Sequence, residues 1–399
     1  MLAQRVAFLL GVLALVLVAS YLYERSRGLS AEDRAGVALY AEALKVVKED
    51  YINQKAIDPE KQTYGAIKGM LDSLNDRWHT SFLTPEEVEK NRRKYASKQI
   101  GIGVRLENRD DRVVVLSTID GSPAEEAGIK AGDVLVAIDG ESLRGKNIVE
   151  ATDKLQGSEG SQVELTVLRD GEEREFSIKR VELEVPAASW NLIPGTDMAH
   201  LRVASFSDDS AAELEDAISE AQEAGAERFV LDLRDNSGGW VGQAEEIAAR
   251  FLPARSTIYI RKDASGEEET TVPEDNQPLD APLVVLVNVG SASSAEIVAG
   301  ALKDNGRARV VGGKTFGAGT VLEERPLSDG SAILLATAQW LTPSRNPIQG
   351  AGIEPDVKAG LGEGQKPRTP DQLRGLSKKE IFAQDAQLER AFEVLQQNG

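Results

Sequence analysis

A strand pattern that turns directly into a helix pattern restricts the fold of this chain more than any other feature. Residues 283–288 are apolar and lead through a small-residue turn into a helix pattern that begins at Ser293. Residues 228–233 lead in the same way into a turn that ends in two glycines, followed by a helix pattern over residues 241–251. Strands that alternate with helices are typical of a partly parallel sheet. The sequence therefore predicts an α/β domain over residues 184–360.

Residues 99–183 follow a different pattern, in which short β-branched runs alternate with turn signals. Asp139-Gly140 and Asp170-Gly171 mark hairpins, and Ser122-Pro123 marks the start of a one-turn helix. We predict a small β domain here that either precedes the α/β domain or is inserted into it. Apolar residues at helical spacing predict a helical segment over residues 24–96. Residues 361–399 are interpreted as a linker and a C-terminal helix.

An uncharged apolar run over residues 6–23 is just long enough to span a bilayer as a helix. Arg5 precedes the run, and Glu24 and Arg25 follow it. We expect residues 1–23 to be a signal anchor, with cleavage as a signal peptide after Ser20 as the alternative. The remainder of the protein is then expected to be attached to a membrane and to lie outside the cytoplasm, in the periplasm or at the cell exterior.

The composition excludes several classes of protein. A formal net charge of −19 argues against nucleic-acid partners, which require a basic surface. The absence of cysteine excludes a disulfide framework and a thiol nucleophile. The chain has two histidines, His79 and His200, which argues against a zinc site and against a histidine-based triad. We interpret His79 as a polar turn residue, and we expect no metal and no cofactor.

Ser293 is open to two interpretations from its local sequence. Ser293-x-x-Glu296 before an apolar helix is a capping box, in which Glu296 reaches back to the start of the helix. A serine at a helix N-terminus after a buried strand also suits a nucleophile, because free N–H groups there favour developing negative charge. Gly238 and Gly239 follow a second strand of the same sheet. The carboxyl ends of neighbouring parallel strands open on one crevice, so the two turns together favour an enzyme.

Residues 99–183 resemble a PDZ domain, and they contain the pattern Ser-Pro-Ala-x-x-Ala-Gly-Ile-x-x-Gly-Asp over residues 122–133. The resemblance implies that a peptide adds a strand to the domain and inserts apolar side chains in a groove. Backbone N–H groups of one loop would hold the carboxyl end of that peptide. The residues of this loop are Ile100, Gly101, Ile102, Gly103 and Val104.

Residues 36–358 resemble the carboxyl-terminal processing peptidases, a tail-specific serine peptidase family that uses a Ser–Lys pair. The motifs that carry the resemblance include Asp232-Leu-Arg-x-Asn-x-Gly-Gly239, Gly290-Ser-Ala-Ser293, Thr315-Phe-Gly, Leu341-Thr-Pro343 and Gly352-Ile-Glu-Pro-Asp356. The resemblance implies a serine endopeptidase that binds protein C-terminal tails through the PDZ-like groove. It makes Ser293 the nucleophile and places the oxyanion hole at backbone amides of Gly238, Gly239 or Ser294.

The chain departs from the family pattern at the general base. The lysine of the family falls on Ala318, and its orienting glutamine falls on Leu322. Serine is a poor nucleophile without a base. Another group could act in its place, with Lys314 as the first candidate, then His200 and then Glu323. The alternative is a catalytically degenerate homologue that acts as a peptide-binding scaffold or adaptor.

Overall fold

The computed structural model describes residues 30–76, 80–94, 98–109, 112–119, 121–146, 148–184, 186–362 and 365–397. The apolar segment predicted over residues 1–23 and the predicted turn residue His79 lie outside these ranges. Within the described ranges, no helix is both long and apolar enough to cross a membrane. The chain divides into two units, residues 1–74 and residues 75–399.

The first unit is helical where it is described, as predicted. Helix α1 (Ala31–Asp50) begins with a capping box in which Ser30 and Asp33 bond each other's backbone N–H groups. Helix α2 (Pro59–Asp72) has proline at its first position. The residue before it, Asp58, is the N-cap, and its carboxylate accepts hydrogen bonds from N–H groups of the first turn. The caps and the proline explain why both helices begin at these residues.

The start of the second unit corrects the predicted helical segment of residues 24–96. Strand β1 (Ser81–Leu83) replaces helix at these residues, and helix α3 (Pro85–Lys94) follows it. Phe82 is buried because β1 pairs antiparallel with a long strand near the end of the core, β18 (Ala332–Leu341). Strand β18 lies some 250 residues further along the chain. The local spacing of apolar residues therefore cannot predict that residues 81–83 pair with it.

The small β domain is inserted into the α/β domain, since β1 precedes it and belongs to the core. A ribbon of β2 (Lys98–Gly101) and β9 (Val181–Glu184) joins its two ends. The remaining elements are β3 (Val104–Arg109), β4 (Arg112–Thr118), α4 (Pro123–Glu126), β5 (Val134–Ile138), β6 (Glu141–Ser142), α5 (Ile148–Leu155), β7 (Gln162–Arg169) and β8 (Glu172–Lys179). The main sheet has the order β3-β4-β5-β7-β8. The predicted hairpins at Asp139 and Asp170 are both present.

The α/β domain is built on a mixed sheet, as predicted. Its strands are β10 (Ala188–Leu192), β11 (Met198–Val203), β12 (Arg228–Asp232), β15 (Leu283–Val287), β16 (Arg309–Gly312) and β19 (Val357–Lys358), in that order. All are parallel except β10. Helices α6 (Ser210–Glu223), α7 (Val241–Phe251) and α8 (Ser294–Asp304) connect them. The carboxyl ends of β12 and β15 are adjacent, so the two turns singled out by the sequence meet.

A second, antiparallel sheet lies in the same unit. It contains β13 (Thr257–Asp263), β14 (Gly266–Thr271) and β17 (Thr320–Pro326) together with β1 and β18. The acidic residues 266–269 belong to strand β14, although their charge favours a solvated loop. Ion pairs of Glu267 with Lys262 and Arg345 offset the like charges and allow an edge strand there.

The C-terminal residues are part of the core rather than a linker with one helix. They form α9 (Pro370–Leu373), α10 (Lys378–Gln384) and α11 (Ala386–Gln397), with Asp385 between the last two. The fully buried Arg234 bonds Asp385 at 2.9 Å and also bonds Asp232. Burial opposes the ionisation of Asp232, but Arg234, His200 and Arg202 hold its pKa well below the usual range. This buried charge network fixes the C-terminal helices beneath the sheet.

We predict that Asp385→Ala destabilises the protein strongly, because it leaves Arg234 with an excess of buried positive charge. Breaking a buried pair in this way costs about 3 kcal/mol. Urea unfolding followed by circular dichroism measures the change. Glu393→Ala on α11 is the control, since this carboxylate lies at the surface, and its effect is expected within about 0.5 kcal/mol. Equal stabilities of the two variants would contradict the structural role of the network.

Candidate active site

The two strand-end turns are joined by backbone and side-chain hydrogen bonds. The Ala292 N–H donates to the Asn236 carbonyl at 2.9 Å, and the Ser291 hydroxyl donates to the Leu233 carbonyl at 2.7 Å. The Asn288 side-chain amide donates to the Asp235 carboxylate at 2.8 Å. The turn after β12 and the turn after β15 therefore form one structure, and Ser293 stands at its centre.

Ser293 occupies a strained backbone position at the N-terminus of α8. Its φ of 54° and ψ of −118° lie in a region that residues other than glycine rarely adopt. Strain of this kind costs about 1–3 kcal/mol and clusters at functional sites. The adjoining helix is buried along most of its length, from Ser294 to Leu302. The fold thus holds a serine in an unfavourable conformation at the positive end of a buried helix.

Gly238 lies directly against this serine, and Gly239 lines a cavity together with it. A Cβ at Gly238 would stand 2.8 Å from the Ser293 Cβ and 3.2 Å from its hydroxyl oxygen, so only glycine fits. The Gly238 N–H already donates to the Asn236 side chain at 2.8 Å. The N–H groups of Gly239 and Ser294 make no hydrogen bond to any described group. Of the three amides suggested for an oxyanion hole, these two are available.

Glu296 connects the serine to the loop that carries residue 318. Its buried carboxylate accepts hydrogen bonds from the Ser293 N–H (2.9 Å), the Thr315 hydroxyl (2.5 Å), the Gly317 N–H (2.7 Å) and the Ala318 N–H (2.7 Å). Burial raises the pKa of this carboxyl, although all four hydrogen bonds act in the opposite direction. The capping box predicts the bond to Ser293, whereas the bonds to the loop are not evident from sequence.

Ala318 therefore stands beside Ser293, because both N–H groups donate to the same oxygen of Glu296. Leu322 lines a cavity of about 320 Å³ together with Ser293 and Gly239. The two positions at which the resemblance places lysine and glutamine are thus adjacent to the serine and carry apolar side chains.

The three substitute bases suggested by the sequence lie elsewhere. Lys314 forms an ion pair with Glu354 at 3.1 Å and is half-exposed. His200 is fully buried on β11 and contacts Asp232 at 2.9 Å, within the charge network beneath the sheet. Glu323 pairs with Arg261 at 3.2 Å. None of the three lines the cavity that contains Ser293.

Sequence reasoning missed two charged residues that do line this cavity, Glu324 on β17 and Arg92 on α3. Arg92 donates to the Glu324 carboxylate at 3.0 Å. Glu324 is the immediate neighbour of the suggested Glu323, and the alternation of side chains along a strand decides which of the two faces Ser293. The alternation of inward and outward side chains along β17 is the sequence signal that could have distinguished Glu324 from Glu323.

The inserted β domain contains a second cavity, of about 110 Å³, at the predicted peptide loop. Residues Ile100, Gly101, Ile102, Gly103 and Val104 all line it, with Leu155 of α5 and Leu183 among the other lining residues. Strand β2 ends at Gly101. Gly103 lies in the turn between β2 and β3 and has a φ of +83°. A Cβ at this position would clash with Ser122.

We predict that Ser293→Gly is more stable than Ser293→Ala, by roughly 1 kcal/mol, because only glycine relieves the backbone strain. Thermal unfolding of the two variants under matched conditions measures the difference. Both lack the hydroxyl, so the comparison isolates the backbone. A Ser293→Ala variant as stable as Ser293→Gly would show that the backbone is unstrained.

Two comparisons with families of known proteins match this architecture. Residues 197–359 match the model of peptidase family S41, and residues 101–179 match that of the PDZ domain. Among solved structures, the photosystem II D1 C-terminal processing protease is similar with a TM-score of 0.52 and 30% identity. The similarity covers 86% of this chain and 97% of that one.

Curated bacterial proteins are similar over most of their length. A probable CtpA-like serine protease of Staphylococcus aureus is 33% identical over 89% of this chain and 72% of that protein. The carboxy-terminal processing protease CtpA of Bacillus subtilis is 36% identical over 80% of this chain and 68% of that protein. The chain therefore carries a PDZ domain and belongs to the carboxy-terminal processing serine proteases of peptidase family S41.

Proposed function

We propose that this protein is a serine endopeptidase that cuts polypeptides with accessible C-terminal tails by attack of Ser293. The proposal is supported by the position of Ser293 at the start of α8, in a cavity that Gly239 also lines, and by the N–H groups of Gly239 and Ser294, which make no hydrogen bond to any described group. Such preorganised donors stabilise the negative charge that develops on a carbonyl oxygen during attack. Removal of one oxyanion donor in other proteases costs about 10²–10³ in rate.

The proposed reaction follows the general course of serine peptidases. Ser293 adds to the scissile carbonyl, and the oxyanion lies between the Gly239 and Ser294 amides. Collapse of this intermediate releases the amine and leaves an ester on Ser293, which water then hydrolyses. Gly238 contributes by its lack of a side chain, which leaves the approach to the hydroxyl open.

The PDZ domain supplies the preference for C-terminal tails in this proposal. The cavity lined by residues 100–104 is bordered by Leu106, Leu155 and Leu183, which suits an apolar final residue. PDZ domains bind peptides by strand addition with the terminal carboxylate held by backbone N–H groups. The names of the relatives, which refer to carboxy-terminal processing, agree with a substrate of this kind.

Membrane attachment through residues 1–23, with the catalytic part outside the cytoplasm, belongs to the same proposal. It is supported by the uncharged apolar run over residues 6–23. Extracytoplasmic placement would expose the PDZ groove to unfolded or exported polypeptides. Detergent-dependent extraction of the full chain from membranes, compared with a variant that lacks residues 1–23, tests this part separately.

A peptidyl diphenyl phosphonate with an apolar side chain tests the nucleophile. We expect it to label the wild-type protein covalently, with loss of phenol, and not to label Ser293→Ala. Intact-mass spectrometry measures the adduct, and thermal unfolding confirms that the variant is folded. A wild-type protein that is never labelled, yet binds apolar-tailed peptides, would contradict the peptidase proposal and favour a peptide-binding scaffold.

Restoring an amine at residue 318 is expected to increase the labelling rate. Ala318→Lys places an amine beside Ser293 that accepts the hydroxyl proton in its neutral form, and a general base contributes about 10²–10⁴ in rate. Ala318→Met is the matched control, since it adds a chain of similar length without a basic group. An Ala318→Lys variant that folds but reacts no faster than Ala318→Met would show that this position does not reach the hydroxyl.

A further inference from the structure

Among the described residues that line the cavity beside Ser293, one carries an ionisable side chain that can act as a base. Apart from Ser293 it is lined by apolar side chains, small polar groups and the pair Arg92 and Glu324. Arginine stays protonated in proteins and cannot act as a base. Of the described residues that line this cavity, Glu324 is thus the sole candidate for the role of the missing lysine.

The position of Glu324 follows from the strand that carries it. Leu322 and Glu324 are two residues apart on β17, so their side chains lie on the same face. Leu322 pairs with Ala336, and Glu324 pairs with Leu334, which also lines the cavity. Glu323 lies between them and points to the other face, where it meets Arg261. Of the two adjacent glutamates, Glu324 is the one that lines the cavity containing Ser293.

Arg92 holds this carboxylate by one oxygen only. Its guanidinium donates to Glu324 Oε1 at 3.0 Å, and Oε2 has no partner among the described residues. The Glu324 side chain is 31% exposed, so water reaches it. An oriented carboxylate with one oxygen free in a small cavity has the features of a general base.

We propose that Glu324 is the general base of this protein, a proposal that rests on the function proposed above. As Ser293 forms its bond to the scissile carbonyl carbon, the hydroxyl proton passes to Glu324 Oε2, directly or across one water. The proton then passes to the departing amine as the C–N bond breaks. In the second half-reaction Glu324 takes a proton from the attacking water and returns it to the Ser293 oxygen. The carboxylate is regenerated, and no co-reactant other than water is consumed.

With Glu324 as the base, Ser293 can act as a nucleophile although residue 318 is alanine. A carboxylate is a weaker base than a neutral amine, so the reaction is expected to be slower than with a Ser–Lys pair. The apolar walls formed by Trp340, Leu334 and Val241 exclude part of the solvent and strengthen electrostatic interactions within the cavity. Arg92 acts as a positioning residue because it touches Glu324 and not the serine.

The adjacent glutamates provide a matched pair of variants. Glu324→Gln is expected to lower kcat/KM for an apolar-tailed peptide by about 10²–10⁴, with the loss in kcat. Glu323→Gln removes a carboxylate from the other face and is expected to change kcat/KM less than about twofold. Thermal unfolding checks that both are folded. Added formate is expected to restore part of the activity of Glu324→Ala, a rescue that a structural role would not give.

The outcomes separate this proposal from the function on which it rests. If the wild-type protein neither cuts peptides nor reacts with the phosphonate, the peptidase function fails and the base assignment falls with it. If the wild type is active and Glu324→Gln retains its rate, only the assignment of Glu324 is overturned.

Discussion

The Glu296 carboxylate is the interaction on which the rest of the site depends. It accepts hydrogen bonds from the Ser293 backbone and from three groups of the loop that carries Thr315 and Ala318. A buried carboxylate left without these donors would be costly, so the helix and the loop have to keep their relative positions. One side chain thereby fixes both the strained serine and the position from which a base would act.

The conformation of this loop does not depend on which side chain residue 318 carries. Glu296 bonds the loop through backbone N–H groups of Gly317 and Ala318 and through the Thr315 hydroxyl, and none of these bonds involves the side chain of residue 318. An alanine there leaves the Gly239 and Ser294 N–H groups, the strained Ser293 and the cavity in place. We propose that the site uses as its proton acceptor the Glu324 carboxylate, which lines the same cavity.

Local signals in the sequence predicted much of the fold and the centre of the site. The capping box at Ser293 and Glu296, the two glycine turns and the hairpins at Asp139 and Asp170 each depend on residues close together in the chain. Interactions over long sequence separations were not predictable in this way. The pairing of Arg234 with Asp385 fixes the C-terminal helices, and the pairing of β1 with β18 makes the PDZ domain an insertion.

The choice between Glu323 and Glu324 illustrates the same limit at the site itself. Both carboxylates are present in the sequence, and only the phase of β17 relative to its neighbours decides which of them faces Ser293. An irregularity in the pairing of β17 with β18, next to Leu322, sets that register. The sequence alone shows two adjacent carboxylates on this strand but does not determine which of them lines the cavity.

The crystal structure of the phosphonate adduct is the most direct measurement of how Ser293 and the amides act together. The phosphorus is expected to be bonded to the Ser293 oxygen, with the phosphonyl oxygen about 2.7–3.1 Å from the Gly239 and Ser294 nitrogen atoms. A phosphonyl oxygen that points away from both amides, or an adduct on a different residue, would contradict the proposed site.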